Sequence, residues 1–254
     1  MNCNVIFCPS HLEELYFAGK TIVVIDVLRA SNTIINALNN GAKEIVPVGS
    51  VEFAVKVSGG MFGGQTLIGG ERNTKKIDGF ALGNSPLEYT PELVAGKSII
   101  FYTTNGSKAV VKGKFSENLF IGSFSNMTVL AKHLISLGKD FEILCAGRAN
   151  SFSIEDSICA GKLIAKIQSL KCKLELTDTA RASLALDKSM GKSILKMLKE
   201  SEHGKLLIEN DFYEDIKFCS QEDNTEVIPL FSENVIKLMP VSNTSSKENK
   251  NKSD

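Results

Sequence analysis

One stretch of this chain occurs twice. Gly19-Lys20-Thr21-Ile22-Val23-Val24-Ile25-Asp26 returns as Gly96-Lys97-Ser98-Ile99-Ile100-Phe101-Tyr102-Thr103. In each copy a short apolar run ends in polar residues and passes into a helical pattern. Downstream, Glu44-Ile45-Val46-Pro47-Val48-Gly49-Ser50 is answered by Asn118-Leu119-Phe120-Ile121-Gly122-Ser123, so each copy reads as strand, loaded loop, helix and strand. A third passage of the same kind runs from Phe141-Glu142-Ile143-Leu144-Cys145-Ala146 through Gly147-Arg148 to a helix opened by Ser153-Ile154-Glu155-Asp156. Unbroken apolar runs are the mark of strands covered on both faces. The expected fold is therefore α/β, with duplicated βαβ-type units layered α/β/α on largely parallel sheets. Residues 1–241 are expected to form one compact region of two similar units, about 1–90 and 91–241, side by side or intertwined.

The rest of the chain adds detail. Residues 178–219 read as largely helical, and Asn224–Leu230 as a closing strand. Ser58-Gly59-Gly60-Met61-Phe62-Gly63-Gly64 is too rich in glycine for regular structure and is expected to be a mobile loop. From Ser242 to Asp254 there is no aliphatic or aromatic residue, so this tail is expected to be disordered.

Composition removes several function classes. Lys+Arg and Asp+Glu are equal at 29 each, so no field exists to gather nucleic acid or an anionic membrane. No apolar stretch is long enough to span a bilayer, and the first residues lack a basic, then apolar, leader; a cytoplasmic protein is expected. The six cysteines form no C-x-x-C pair and read as reduced thiols in apolar segments. His11, His133 and His203 lie away from the loaded loops, which disfavours a histidine nucleophile or acid, with His203 beside Gly204 left open. Oligomeric state stays open, a homo-oligomer included.

Chemistry concentrates where apolar runs end. Asp26, Arg29 and Ser31 follow the first strand; Gly69-Gly70-Glu71-Arg72-Asn73, Thr103-Thr104-Asn105-Gly106-Ser107, Ser123-Phe124-Ser125-Asn126 and Gly147-Arg148 follow others. Singly, each has a plain reading: an Asx-turn at Asp26, a turn at Asn105-Gly106, helix-end charge at Glu155-Asp156. If the strands are parallel, however, all these loops open on one edge of the sheet, where α/β proteins keep their ligands. An acid there suits a divalent cation, and arginine suits an oxyanion. Nucleotide motifs fail: the upstream glycine that a P-loop needs before Gly19-Lys20-Thr21, Gly96-Lys97-Ser98 and Gly191-Lys192-Ser193 is Glu14, Pro91 and Leu186. No G-x-G-x-x-G follows a strand either.

Val24-Ile25-Asp26-Val27-Leu28-Arg29-Ala30-Ser31-Asn32-Thr33, Gly69-Gly70-Glu71-Arg72, Gly83-Asn84-Ser85-Pro86 and Thr103-Thr104-Asn105-Gly106-Ser107 together resemble the 2-phosphosulfolactate phosphatase family. The likeness covers roughly residues 4–231, through Ser123–Asn126, Ala146-Gly147-Arg148, Glu155-Asp156, Asp223 and Pro229. It implies duplicated α/β units and Mg²⁺-dependent hydrolysis of the phosphate ester of 2-phospho-3-sulfolactate, a step toward coenzyme M. It implicates Asp26, Arg29, Glu71, Arg72, Asn105, Ser107, Asn126, Arg148, Glu155 and Asp156, without dividing roles among them.

The residues suggest how such a reaction would run on a small anionic phosphate and sulfonate substrate. Mg²⁺ favours one or two carboxylates plus waters and substrate oxygens, a part for Asp26 with Glu71 or Glu155. Arg29, Arg72 and Arg148 would divide phosphoryl stabilisation from recognition of the sulfonate or carboxylate. Ser31, Asn73, Thr103, Asn105, Gly106, Ser107, Ser123 and Asn126 would supply hydrogen bonds to the substrate. A water nucleophile is preferred to an aspartyl-phosphate on Asp26: the aspartyl-phosphate enzymes of the haloacid-dehalogenase type need an acid two residues on, where this chain has Leu28. A cysteine phosphatase is disfavoured because Cys145 lies too close to Arg148 in sequence. The rival reading is a non-catalytic binding protein for sulfonated or phosphorylated acids; it accounts for the arginines but not for the acids beside them.

Overall fold

The computed structural model describes residues 1–60 and 65–239. Of the loop expected over 58–64, residues 58–60 instead continue a helix (Val51–Gly60), while residues 61–64 and the tail from Ser242 lie outside the described residues. The strands are β1 (Asn2–Ile6), β2 (Thr21–Ile25), β3 (Glu44–Pro47), β4 (Thr66–Arg72), β5 (Lys75–Lys76), β6 (Ser98–Tyr102), β7 (Asn118–Gly122), β8 (Phe141–Cys145), β9 (Glu175–Leu176), β10 (Pro229–Ser232) and β11 (Val235–Leu238). They form one sheet in the order β5-β4-β6-β3-β11-β10-β7-β2-β8-β1-β9. The helices are α1 (Ala30–Asn39), α2 (Val51–Gly60), α3 (Pro91–Val94), α4 (Gly106–Lys112), α5 (Met127–Leu137), α6 (Ile154–Ser169), α7 (Asp178–Met190), α8 (Ile194–Glu200), α9 (Glu202–Glu209) and α10 (Tyr213–Cys219). None of the described helices is long and apolar enough to cross a membrane.

The apolar runs behave as strands buried on both faces. All five residues of β2 are buried: Val23 and Ile25 join a core with Leu130, Ile158 and Leu163 of α5 and α6, while Ile22 and Val24 join a second core with Ile34, Leu38 and Val110 of α1 and α4. The α/β/α layering follows directly. A third, smaller core packs Ala54 of α2 against Ile100 and Tyr102 of β6.

Within the sheet, β4, β6 and β3 form one parallel block, and β7, β2, β8, β1 and β9 form another. The strands of the two echoed segments exchange neighbours, β2 pairing with β7 and β6 with β3. Between the blocks stands the hairpin β10–β11, antiparallel to both. The closing strand expected over Asn224–Leu230 therefore begins only at Pro229, at a strand's first residue, where the missing N–H is tolerated. Because the path from β3 to β7 passes three antiparallel pairings, the blocks run in opposite directions, and the loaded loops do not share one edge of a single parallel sheet. The C-terminal ends of the two blocks meet instead: Gly106, after β6, lies directly against Asp26, after β2.

Candidate active site

Ile25 is the last apolar residue of β2, and Asp26 is the first that gains by leaving the sheet. The turn is fixed by Ser31, whose Oγ accepts from the Asp26 N–H at 2.9 Å and whose N–H donates to the Asp26 carbonyl at 2.9 Å. Ser31 thus positions Asp26 and does not reach the cavity described below. Gly106 is needed on the opposite side, since a Cβ there would stand 2.5 Å from Asp26 Oδ2 and 2.5 Å from the Ala30 Cβ.

A polar cavity of about 160 Å³ opens where these strand ends converge. Of the residues singled out in the sequence, Asp26, Arg29, Glu71, Asn73, Asn105 and Arg148 line it. Arg72 does not: side chains alternate along β4, so Glu71 is buried toward the cavity and Arg72 is exposed on the other face. Thr103 and Ser107 are buried and bond each other, the Ser107 N–H to Thr103 Oγ1 at 2.9 Å and the Thr103 N–H to Ser107 Oγ at 2.8 Å. Asn126 accepts from the Ser123 N–H at 3.0 Å and donates to the carbonyls of Ile121 and Val227. These four shape the loops and stand away from the cavity lining. Glu155 and Asp156 are buried behind it: Glu155 Oε1 lies 3.6 Å from His203 Nδ1, and Asp156 accepts from the N–H groups of Val27 and Gly147.

The cavity also gathers residues to which the sequence reading gives no site role, His203 among them, which is expected from the sequence to lie away from the loaded loops. Thr74, Asn84 and Thr104 line it, as do His203 and Leu206 of α9. Asn84 lies within a motif that carried the family resemblance. His203 had no local signal beyond a following glycine; only the folding of α9 over the cavity brings it to Glu155. Thr74 Oγ1, Asn84 Oδ1 and Thr104 Oγ1 are buried without a hydrogen-bond partner, so each keeps unused hydrogen-bonding capacity on a residue of the cavity wall. Thr74 also sits at φ 69°, after Asn73 at φ 54°, in the tight β4–β5 turn, a left-handed conformation that a β-branched residue seldom adopts. Thr74→Gly is accordingly expected to stabilise the ligand-free protein by about 1 kcal/mol in denaturant titration.

The electrostatics are dominated by acids. Burial, with Glu71 and Glu155 nearby, pushes the Asp26 carboxyl from 3.8 up to about 6, against a lowering pull from His203 and the Ala30 N–H. Burial, with Asp26 and Glu155, holds Asp156 well above the usual carboxylate range. Glu71 is fixed by two backbone donors, the Thr74 N–H at 2.9 Å and the Thr104 N–H at 2.7 Å. Arg29 supplies buried positive charge, with Nη1 2.5 Å from Asp215 Oδ2, Nη2 donating to the Thr74 carbonyl at 2.7 Å, and the guanidinium 4.1 Å from the Phe212 ring centre. Arg148 is more open, its Nη1 3.4 Å from the exposed Glu202. Among the described residues no three His, Cys, Asp or Glu side chains form a cage for a metal. Asp26 and Glu71 nevertheless offer two carboxylates on one cavity, a donor set that fits Mg²⁺, which keeps most of its waters.

Fold and cavity together define a layered α/β/α protein with a small, polar, oxyanion-sized cleft where strand C-termini converge. The family profile described as 2-phosphosulpholactate phosphatase matches residues 6–234, and the chain belongs to that family. A protein of Caldanaerobacter subterraneus subsp. tengcongensis named probable 2-phosphosulfolactate phosphatase is 40% identical over 218 residues, covering 86% of this chain and 90% of the relative. One of the same name from Clostridium tetani is 37% identical, covering 93% and 100%. A third, from Clostridium acetobutylicum, is 37% identical, covering 91% and 98%.

Proposed function

We propose that this protein is a phosphoric monoester hydrolase that cleaves 2-phospho-3-sulfolactate, or a closely similar phosphorylated hydroxy acid, to the free hydroxy acid and phosphate. The observation that carries the reading is the joint presence on one cavity of Asp26, Glu71, Arg29 and Arg148 in a chain matched almost end to end by the family. Asp26 and Glu71 would hold Mg²⁺, which when bound supplies Lewis-acid polarisation of a phosphoryl oxygen. Glu155 is set aside as a ligand because it faces His203.

The chain's own groups account for the remaining steps. Arg29 and the unpartnered side chains of Thr74, Asn84 and Thr104 bind and orient the dianion. A water oxygen attacks phosphorus and the bond from phosphorus to the C2 oxygen breaks, with charge spread over the phosphoryl oxygens that the arginine faces. His203, backed by Glu155, is the group on the cavity wall able to pass a proton to the departing alkoxide, and the proton given up by the attacking water returns to the imidazole, so that the free hydroxy acid and hydrogen phosphate leave and the side chain is restored. The low-polarity surroundings of five buried, unpaired cysteines suit a reducing cytoplasm.

A phosphatase screen over phosphorylated hydroxy acids tests the reading, with 2-phospho-3-sulfolactate expected to be the best substrate. Binding of these acids without any release of phosphate would replace the enzyme by a binding protein. EDTA is expected to abolish turnover and added Mg²⁺ to restore it, measured with p-nitrophenyl phosphate; full activity in metal-free protein would remove the metal from the scheme.

A further inference from the structure

The Arg29 side chain is 2% exposed and that of its partner Asp215 is 4% exposed. Burying such a pair costs desolvation that its mutual attraction seldom more than offsets, so apolar residues would hold α10 against the loop before α1 at least as well. Every other feature of the contact concerns orientation. Asp215 Oδ2 takes one arm of the guanidinium while Oδ1 accepts from Ser85 Oγ at 2.6 Å. The second arm is taken by the Thr74 carbonyl, and Phe212, three residues before Asp215, covers the guanidinium plane. The carboxylate is thus held on one side by the loop that carries Asn84 and delivered on the other by the helix that follows His203 and Leu206.

We infer that Asp215 is a positioning residue: through Arg29 it sets both the direction and the effective charge that the arginine presents to an oxyanion in the cavity. The inference rests on the cavity being a phosphate ester site, since Arg29 lines that cavity with Asp26 and Glu71. With Asp215 in place the guanidinium is paired and fixed, which favours geometry over tight ground-state binding. Without the carboxylate, the arginine is a full, loosely aimed positive charge. Oxyanions should then bind more tightly but react more slowly.

Two variants and a double substitution test this. Asp215→Asn is expected to bind inorganic phosphate about 5- to 20-fold more tightly by calorimetry while kcat for p-nitrophenyl phosphate falls about 10- to 100-fold. Ser85→Ala keeps the ion pair and loses one hydrogen bond to Asp215; it should show the same split at a smaller size, kcat down about 3- to 10-fold with phosphate bound about 2- to 4-fold more tightly. In an Arg29→Gln background, Asp215→Asn should cost no further activity, because its whole effect passes through the arginine. A purely structural role would lower thermal stability and the amount of active protein but leave KM and phosphate affinity where they are. If Asp215→Asn does not fold, Ser85→Ala and the double variant decide. Unchanged kcat, KM and phosphate affinity in every folded variant would overturn the inference. A wild-type protein that binds phosphate but hydrolyses no ester would instead overturn the phosphatase reading, and the calorimetric response of Asp215→Asn would still be interpretable.

Discussion

Asp26→Asn lowers kcat by about 10³-fold or more and leaves the metal-free protein at least as stable as wild type. The two halves of this expected result have one cause. Asp26 is enclosed by Gly106, Ala30 and the acids around it, so its charged form is useful only when a cation or the reaction calls for it. The amide is nearly isosteric, still accepts from the Ala30 N–H, and removes the negative charge that would hold the metal. For stability the sign follows from the raised carboxyl. The folded state keeps its proton up to about pH 6 whereas the unfolded chain releases it near 3.8, so folding loses stability as pH rises between these values. Above pH 6 the loss is complete and amounts to roughly 2–3 kcal/mol at most. Thermal unfolding of the metal-free proteins at neutral pH checks one half, and steady-state turnover with Mg²⁺ checks the other. A variant that keeps near wild-type turnover would reduce Asp26 to a turn residue.

The fold was legible where burial on both faces leaves a plain pattern. The apolar runs ending at Ile25, Tyr102 and Cys145 became strands, and their alternate residues went to opposite helical layers. What the pattern could not reveal was direction. Nothing local in Pro229–Leu238 says that this hairpin inserts between two parallel blocks and reverses one against the other. The lining of the candidate cavity was legible to the extent that its residues follow strand ends: placing Asp26, Arg29, Glu71, Asn105 and Arg148 on its wall needed only the strands. Arg72 was drawn in by adjacency to Glu71, and strand alternation turned it out. Thr103, Ser107 and Asn126 have the same residue types as ligand donors, yet they spend their hydrogen bonds on the protein's own backbone and on one another, and Ser123 Oγ is buried without a partner away from the cavity lining. His203 and Asp215 were hidden for the opposite reason, since α9 and α10 read as ordinary helices until they close on residues more than a hundred positions away or at a distant loop.

That division of the arginines leads to the second large effect. Arg148 stands on a tight loop closed by the Arg148–Ser151 bridge, with hydrogen bonds of 3.0 and 2.9 Å, and tied to Asn105 Oδ1 through the Ala149 N–H. A Cβ at Gly147 would meet the Ser151 carbonyl oxygen at 2.4 Å, so the loop keeps its shape and presents the next side chain at the cavity mouth. The Arg148 partner Glu202 is 93% exposed, and a pair of that kind contributes little and is readily exchanged for a ligand. Arg29, by contrast, is buried on the cavity wall with Asp26 and Glu71 and held by Asp215 and the Thr74 carbonyl, as the proposed phosphoryl-binding arginine would be. Arg148→Ala should therefore lower kcat/KM for 2-phospho-3-sulfolactate about 30- to 150-fold, the loss of roughly 2–3 kcal/mol from one charge-assisted contact to the sulfonate or carboxylate. For p-nitrophenyl phosphate, which has neither group, the same change should cost less than about 3-fold. Arg29→Ala should depress both substrates by a common factor, because the phosphoryl group is common to both. Equal losses on the two substrates for Arg148→Ala would mean that no separate arginine reads the acid end, and that the cavity selects for the phosphate alone.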